Sequence, residues 1–331
     1  MMKKFLEKTA EYLINTYGAD VQELCIVLPN RRGGLFLKRY LSRTAGKNIW
    51  SPSVFSVEDF LLEISGLRLI DATEQLFELY EVHREIEKEK AQNFDEFLSW
   101  GSQLLHDFTE IDSYLVDAKS LFSYLTEAKA IALWNPDGQP LTDFERNYLR
   151  FYNSLFEYYS VFTEKLLSRG TAYPGLMFRK VAGDIEKTGS GLPWKKIIIA
   201  GMNAMTKTEE RIFDALVKSG KAELLWDADR YYVKQEHQEA GDFLRKWLGK
   251  WGNPGFNWME DHFSTGKKNI RITGVPDNVG QVKLCGQILS EMLKNNIPAG
   301  EIAVILPDEQ LLIPLLNSLP PETGELNVTM G

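Results

Sequence analysis

Short apolar runs alternate with amphipathic segments at both ends of the chain, and this alternation limits the folds available to it. Residues 21–28 and 196–200 are nearly continuous apolar runs, with the length and β-branched content of strands buried in a parallel sheet. Further strands are predicted at 49–55 and 222–226, and helices at 3–17, 34–44 and 206–219. Strands that alternate with helices predict a parallel sheet with right-handed crossovers, and so an α/β fold.

A long helical block interrupts this arrangement. Residues 73–169 are periodic and rich in Leu, Phe and Tyr, which predicts helices at 74–91, 94–107, 118–128 and 143–167. The sequence Asn135-Pro136-Asp137-Gly138 is typical of a turn between the last two helices. We therefore expect one α/β domain, formed by residues 1–72 and 170–235, with residues 73–169 inserted as an all-helical block.

A second set of strand and helix signals follows a segment without clear periodicity. Residues 236–268 carry Trp, Gly, Pro and His in no regular pattern and are predicted to be a linker with one helix. Beyond them, helices at 278–294 and 309–318 alternate with strands at 269–275, 301–306 and 326–329. Because three strands are few for a domain, we expect 269–331 to be the start of a second, truncated α/β domain.

The charge of the chain excludes one mode of nucleic-acid binding and leaves another open. The 46 Asp and Glu residues outnumber the 38 Lys and Arg residues, which gives a net charge of −8. The surface as a whole therefore does not attract nucleic acid, but a local basic strip can still bind it. Residues 1–9 lack the apolar core of a signal peptide, and no apolar run approaches the roughly 20 residues of a membrane span. A cytoplasmic protein that does not engage membranes is expected.

The motifs of nucleotide hydrolysis are missing from the sequence. The phosphate-cradling motif GxxxxGK[ST] does not occur. Its nearest substitute, Arg31-Arg32-Gly33-Gly34, lacks the Lys-Ser/Thr pair and places bulky arginines where the backbone would approach phosphate. Cys25 and Cys285 lie in apolar runs and are expected to be reduced thiols, and the His residues lack metal-ligand spacing. We therefore predict no catalytic residue, no metal site and no cofactor in these 331 residues.

Two acidic residues after a predicted strand allow two interpretations. Asp227 and Asp229 follow the strand at 222–226 with one residue between them, a spacing compatible with a magnesium site in a divergent nucleotide hydrolase. The same spacing is typical of a polar strand end or a helix cap. The sequence favours the second interpretation, because the loop that would position a nucleotide is missing.

A cluster of basic residues follows the first predicted strand and consists of Arg31, Arg32, Lys38, Arg39, Arg43 and Lys47. Open α/β sheets bind ligands at the carboxyl ends of their strands, and arginines at a helix N-terminus suit phosphate. A solvated helix face would explain Lys38, Arg39 and Arg43 equally well. Phosphate contact and simple solvent exposure therefore both stay open for this cluster.

Two consecutive segments resemble DNA-contacting motifs of helicases. Residues 27–32 (VLPNRR) form a strand that runs into a basic helix start, and residues 53–61 (SVFSVEDFL) form a strand that gives way to a helix. The helical block follows them and carries Phe97-Leu98-Ser99-Trp100. This order is similar to the UvrD/Rep-like superfamily-one helicase frame. It resembles most closely, over nearly the whole chain, the inactivated helicase half of AddB-type subunits of recombination helicase–nucleases.

The chain departs from active helicases where their magnesium-binding acids are expected. Gly201-Met202-Asn203-Ala204 follows the strand at 196–200, as in AddB-like chains, and Trp226-Asp227-Ala228-Asp229 stands in place of a Gly-Asp-x-x-Gln sensor. In that family a PD-(D/E)xK nuclease domain lies far downstream, and neither its motif nor the cysteines of an iron–sulfur cluster occur here. The resemblance thus implies a scaffold without catalysis, in a parent chain that carries exonuclease activity.

The resemblance also implies an architecture, partners and contact residues. The architecture is a P-loop-helicase-like (RecA-like) sheet domain interrupted by the helical insertion, followed by the start of a second RecA-like domain. The implied partners are single-stranded DNA and an active helicase–nuclease subunit of AddA or RecB type. The candidate nucleic-acid-binding residues are Asn30, Arg31, Arg32, Lys38, Arg39 and Ser56.

Three functions are compatible with these features. The first, which we favour, is a non-catalytic scaffold of DNA double-strand-break repair that binds single-stranded DNA beside an active motor. The second is a divergent ATPase that uses Asp227 and Asp229. The third is a docking module, in which the aromatic helices of residues 73–169 bind the motor and DNA does not touch this chain.

Overall fold

The structure is a computed structural model that describes residues 3–132, 142–252 and 259–329. Contacts separate the chain into two units, Met1–Gly266 and Lys267–Gly331. The turn predicted at residues 135–138 lies outside the described residues. None of the described helices is long and apolar enough to cross a lipid bilayer.

The first unit is built on a four-stranded parallel sheet. The strands of the described chain are β1 (Leu24–Leu28), β2 (Ser53–Ser56), β3 (Arg68–Leu69), β4 (Thr171–Ala172), β5 (Lys196–Ala200) and β6 (Ala222–Leu225). The sheet has the order β2-β1-β5-β6, and Cys25 of β1 is in register with Ser53 on one side and Ile197 on the other. All of β1 is buried, as expected for an inner strand of a parallel sheet. The α/β class predicted from the sequence is confirmed.

The strand order creates a change of direction beside β1. The chain passes from β1 to β2 on one side and later returns to β5 on the other side of β1. In open α/β sheets, the crevice beside the carboxyl ends of the strands at such a point is where ligands bind. The carboxyl end of β1 leads directly into Asn30 and Arg31, so this edge of the sheet is where a site is expected.

Helices cover both faces of the sheet. The helices of the first unit are α1 (Phe5–Tyr17), α2 (Arg31–Ala45), α3 (Val57–Ser65), α4 (Ala72–Glu87), α5 (Phe94–Ser113), α6 (Ala118–Ala132), α7 (Asp143–Ser168), α8 (Pro174–Thr188), α9 (Lys207–Lys218), α10 (Arg230–Lys234), α11 (Asp242–Trp251) and α12 (His262–Thr265). Alternate residues of a strand point to opposite faces. Leu24 and Ile26 therefore pack with α1 and α2, whereas Cys25 and Val27 belong to the core that includes α3, α8 and α9.

The helical block, α4 to α7, shares this larger core with the sheet. Phe97 of α5 and Phe162 of α7 belong to the same buried cluster as Val27 of β1 and Ile199 of β5. The short strands β3 and β4 pair in parallel where the chain enters and leaves the block. The block is therefore anchored at both of its ends and along its apolar face.

A buried histidine joins three segments of the helical block. The Nε2 atom of His83 accepts the backbone N–H of Gln92 (2.9 Å), so its Nδ1 atom carries the proton and donates to the hydroxyl of Tyr158 (2.7 Å). Burial lowers the pKa of His83, which keeps the ring neutral. His83 thus fixes α4 against α7 and against the chain that leads into α5.

A buried carboxylate joins the helical block to the sheet domain. Asp112, near the end of α5, is fully buried and accepts hydrogen bonds from the hydroxyls of Tyr159 (2.5 Å) and Tyr173. Its Oδ1 atom also lies 2.6 Å from Nε of Arg179 on α8. Burial raises the pKa of Asp112, and the two tyrosines and the Arg179 charge act against that rise. Arg179 in turn donates to the carbonyls of Ile111 and Val116, and these bonds hold the last turn of α5 and the chain after it against α8.

The second unit differs from the sequence-based prediction. Its described α-helices are α13 (Asn278–Lys294) and α14 (Leu312–Leu316), close to the predicted positions. The strands predicted there do not form within the described residues, and Ile272 (93% exposed) and Ile305 (86%) face solvent. An alternating apolar sequence gives a backbone preference, but a strand needs a hydrogen-bonded neighbour. The predictions of strands at 269–275, 301–306 and 326–329 were therefore wrong.

Two other segments of the first unit differ from the predictions. The first strand begins at Leu24, because Gly18–Glu23 forms a 3₁₀ turn in place of the predicted start of the strand. The segment 236–268, predicted to be a linker with one helix, contains α11, but Leu244 and Trp247 of this helix are buried in the larger core and do not lie in a free linker. Trp247 also donates its indole N–H to the carbonyl of Asn203, just after β5 (2.7 Å). Helix α11 therefore belongs to the folded first unit.

Replacing Asp112 by alanine tests the link between the helical block and the sheet. We expect Asp112→Ala to lower the free energy of unfolding by about 3–5 kcal/mol, because the charge of Arg179 and the hydroxyls of Tyr159 and Tyr173 lose their partner. Urea denaturation followed by circular dichroism measures this change. The matched control is Asp107→Ala, a carboxylate on the solvent side of the same helix. Equal stability of the two variants would contradict the assignment.

Candidate nucleic-acid interface

Helix α2 begins at Arg31, three residues earlier than the sequence predicts. Arg31 and Arg32 therefore belong to the helix and not to a loop before it. The side chain of Asn30 accepts the backbone N–H of Gly33 (2.8 Å) and caps the helix, so Arg31 to Gly34 form its first turn. A Cβ at Gly34 would lie 3.1 Å from Cγ1 of Val54, so this glycine lets α2 pack closely on β2. The segment is therefore a helix start at the carboxyl edge of the sheet and not a phosphate-binding loop.

Arg31 and Ser56 both bind Asp59, a residue that is not among the candidates predicted from the sequence. Nε and Nη2 of Arg31 donate to the two carboxylate oxygens of Asp59, at 2.8 and 2.6 Å. Ser56 caps α3 by accepting the N–H of Asp59 (3.1 Å), and its hydroxyl donates to Oδ2 of the same residue (2.7 Å). The Arg31 guanidinium lowers the pKa of Asp59 to about 2, with the Ser56 hydroxyl helping and partial burial opposing. Asp59 is therefore ionised at neutral pH and holds Arg31 in place.

This arrangement gives the candidate residues different roles. Ser56 is buried and its oxygen is engaged by Asp59, so its geometry is that of a helix cap. Asn30 is exposed but also acts as a cap. The side chain of Arg31 is 77% exposed, and Nη1 has no hydrogen bond among the described residues. Arg31 can therefore still offer donors to a phosphate, from a position fixed by Asp59.

The outer face of α2 combines positive charge with exposed apolar side chains. Its buried face consists of Gly34, Leu37 and Leu41. The opposite face, at spacings of three and four residues, consists of Arg32, Leu35, Phe36, Arg39 and Arg43, and Lys38 lies at its border. We call these five residues the α2 outer face. Leu35 is 71% exposed and Phe36 is 43% exposed, so this face presents apolar and basic side chains side by side.

Most of the positive charge of α2 is not neutralised by carboxylates. Lys38, Arg39 and Arg43 have no ion-pair partner among the residues that the structure describes. The sequence itself explains this, since no Asp or Glu occurs between Glu23 and Glu58. That gap was a signal that the sequence reasoning missed. It marks a strongly basic surface within a chain whose net charge is −8.

Of the two acidic residues after β6, Asp229 has a structural role. Asp229 caps α10 by accepting the N–H of Tyr231 (2.9 Å), and its other oxygen accepts the N–H groups of His262 (2.8 Å) and Phe263 (3.0 Å). Partial burial acts to raise the pKa of Asp229, but these backbone hydrogen bonds lower it. The carboxyl group of Asp227 has no hydrogen-bond partner among the described residues. Partial burial of this group raises its pKa, and the charge of Lys8 acts against that rise. The capping interpretation of Asp229 therefore describes this site.

A polar cleft of about 160 Å³ lies beside these acids. Its lining brings basic residues from the start of α1 against acidic residues, and includes Lys3, Lys4, Lys8, Asp227, Asp229 and Glu260. Lys8 and Glu260 form an ion pair, and Nε2 of His262 lies 3.2 Å from Glu260. Among the described residues, no group of three His, Cys, Asp or Glu side chains is placed to hold a metal ion.

Both cysteines are free thiols in the structure, as the sequence predicts. Cys25 is buried in β1, and burial raises its pKa to about 12. Cys285 is half-buried on α13, and burial also raises its pKa. A thiol with a raised pKa is a poor nucleophile and a poor metal ligand at neutral pH. Neither cysteine therefore suggests a reactive site.

Comparison with known protein families and with curated proteins found no match.

Replacing Asp229 separates a capping role from a catalytic one. We expect Asp229→Ala to lower the free energy of unfolding by about 1–2 kcal/mol, because three backbone N–H groups lose their acceptor. Asp227→Ala, two positions away and without such bonds, should have the stability of the native chain. Chemical denaturation of the two variants makes the comparison. Unchanged stability of Asp229→Ala, together with magnesium-dependent ATP turnover that this variant loses, would contradict the capping role.

Proposed function

We propose that this chain is a non-catalytic, helicase-like scaffold that binds single-stranded DNA through the α2 outer face, beside an active motor partner in double-strand-break repair. The parallel sheet, its strand order and the helical block inserted between β3 and β4 are compatible with a RecA-like domain with an inserted helical domain. The missing phosphate-binding motif supports a scaffold over a motor. The nuclease activity expected of the family belongs to segments other than these residues.

One observation carries this proposal. Arg39 and Arg43 are exposed on the α2 outer face without a carboxylate partner among the described residues, in a chain with an excess of acidic residues. Unpaired arginines on a surface repel one another unless an anion lies between them. A DNA strand supplies such anions at regular spacing, and phosphate contacts dominate the affinity of most DNA-binding proteins. Helix α2 begins at the carboxyl edge of the sheet, where ligands bind in open α/β folds, and runs back along the sheet toward β2. Arg31 therefore lies at that edge, and Arg39 and Arg43 extend the basic surface about two and three turns further along the helix.

The helical block supplies a surface for the proposed motor partner. The ring of Phe77 on α4 is exposed and stacks on that of Phe94 on α5, with centroids 5.1 Å apart. Leu98, one turn after Phe94, is also exposed. Glu81 and Asp95 lie next to these residues along their helices. An apolar patch with an acidic border suits a protein partner with a basic border, and DNA would be repelled from it. Docking without DNA contact is thus the alternative function.

Removing two arginines from the α2 outer face tests the DNA-binding role. We expect Arg39→Ala/Arg43→Ala to weaken binding of a single-stranded oligonucleotide on the order of tenfold at low salt. The dependence of affinity on salt should also become shallower by about 1.4 in log–log slope, because roughly 0.7 is lost for each phosphate contact. Fluorescence anisotropy between about 50 and 200 mM salt measures both quantities.

The control for this experiment removes the same charge elsewhere. Lys119→Ala/Lys187→Ala deletes two exposed cations from α6 and α8 and should leave affinity and salt slope close to those of the native chain. If both double variants bind alike, the α2 outer face is not the binding surface. If the native chain shows no anisotropy change at low salt, the scaffold does not bind DNA and the docking alternative is favoured.

A further inference from the structure

Phe36 stands among the arginines of the α2 outer face. Arg32 lies one turn before it, Arg39 one turn after it and Arg43 two turns after it. Leu35, its neighbour on this face, is even more exposed. The apolar side chains are therefore on the same side of α2 as the charges. A membrane-binding helix separates them to opposite sides, so this pattern does not suit insertion into lipid.

Trp50 displays a second ring beyond the end of the same helix. Its side chain is 81% exposed, whereas tryptophan is buried on average. The residues around it are anchored: Ile49 packs against the smaller core and Pro52 is buried. Helix α2 ends at Ala45, and Gly46 follows in the left-handed conformation that turns the chain away. The loop thus holds the indole of Trp50 in solvent.

The length of α2 suits an extended ligand. Helix α2 has 15 residues, which corresponds to about 22 Å at 1.5 Å per residue. Basic residues occur along its whole length and continue to Lys47, three positions before Trp50. No carboxylate lies between Glu23 and Glu58 in the sequence to interrupt them. An anionic chain of several units can therefore follow α2 along its length.

We propose, on the basis of the function proposed above, that Phe36 and Trp50 stack against the bases of a single DNA strand while Arg32, Arg39 and Arg43 contact its phosphates. The faces of bases are accessible in a single strand and are covered by neighbouring pairs in a duplex. Stacking on a ring accepts every base, because each base has a π-face. The surface therefore selects single strands over duplex DNA and does not read sequence.

Ring deletion and a base-free ligand test this inference on the full chain. We expect Phe36→Ala and Trp50→Ala each to weaken binding of a roughly 12-nucleotide thymidine strand on the order of tenfold, with the salt slope unchanged. An abasic strand of the same length should bind the native chain as weakly as the thymidine strand binds the double variant Phe36→Ala/Trp50→Ala. A duplex of that length should bind more weakly than the single strand.

The controls separate failure of this inference from failure of the proposed function. Tyr124→Ala removes from α6 a ring whose exposure lies between those of Phe36 and Trp50, and this variant should bind like the native chain. Circular dichroism confirms that each variant is folded, as expected for exposed side chains. If Phe36→Ala and Trp50→Ala bind normally while Arg39→Ala/Arg43→Ala does not, the contact is to phosphate alone and stacking is wrong. Equal affinity for abasic strand, duplex or polyglutamate would also overturn stacking. If the native chain binds no DNA at all, both the proposed DNA-binding function and base stacking on Phe36 and Trp50 are wrong.

Discussion

The carboxylate of Asp112 is the contact on which the shape of the first unit depends. It sits at the end of α5 and receives hydrogen bonds from Tyr159 of α7 and Tyr173 before α8, together with the charge of Arg179 on α8. Helix α8 also packs against α3 and α9, which cover one face of the sheet. A buried ion pair is costly to desolvate, so its main effect is to specify one arrangement of these helices. The helical block is thereby held as part of the sheet domain.

The α2 outer face lies in the stretch between Glu23 and Glu58, which contains no acidic residue. At other places in the first unit several cations share one acid, as at Glu210, which lies within 3.1 Å of the ammonium groups of Lys207, Lys246 and Lys250. Partial burial acts to raise the pKa of Glu210, but these lysines lower it to about 2. On the α2 outer face, Arg39 and Arg43 have no carboxylate partner among the described residues. These two arginines are therefore available to an external anion, which is the physical basis of the proposed function.

Local sequence signals predicted the local structure well. The helix predicted at 206–219 forms, and Thr206 and Glu209, which have the spacing of a capping box, make both of its hydrogen bonds. The apolar run at Lys196–Ala200 forms the predicted strand. Such features depend on residues three or four positions apart. The strands predicted in the second unit failed because their formation depends on a neighbouring strand, which no local pattern specifies.

The candidate site was predicted only in part, for the same reason. The basic residues of α2 are visible in the sequence, but the pairing of Arg31 with Asp59 joins residues 28 positions apart. The contact of Asp112 with Arg179 joins residues still further apart. Whether a charge is paired, or a ring such as Trp50 is exposed, depends on the tertiary fold. DNA binding, the motor partner and the RecA-like assignment stay predictions.

Photocrosslinking tests the central claim most directly, because it reports where DNA lies on the chain. A single-stranded oligonucleotide with photoreactive thymine analogues would be bound to the full chain at low salt, irradiated and analysed by peptide mass spectrometry. The account predicts crosslinks in residues 31–50, with Phe36 and Trp50 as the modified positions. Crosslinks confined to the helical block, or to the cleft beside Asp227, would contradict it.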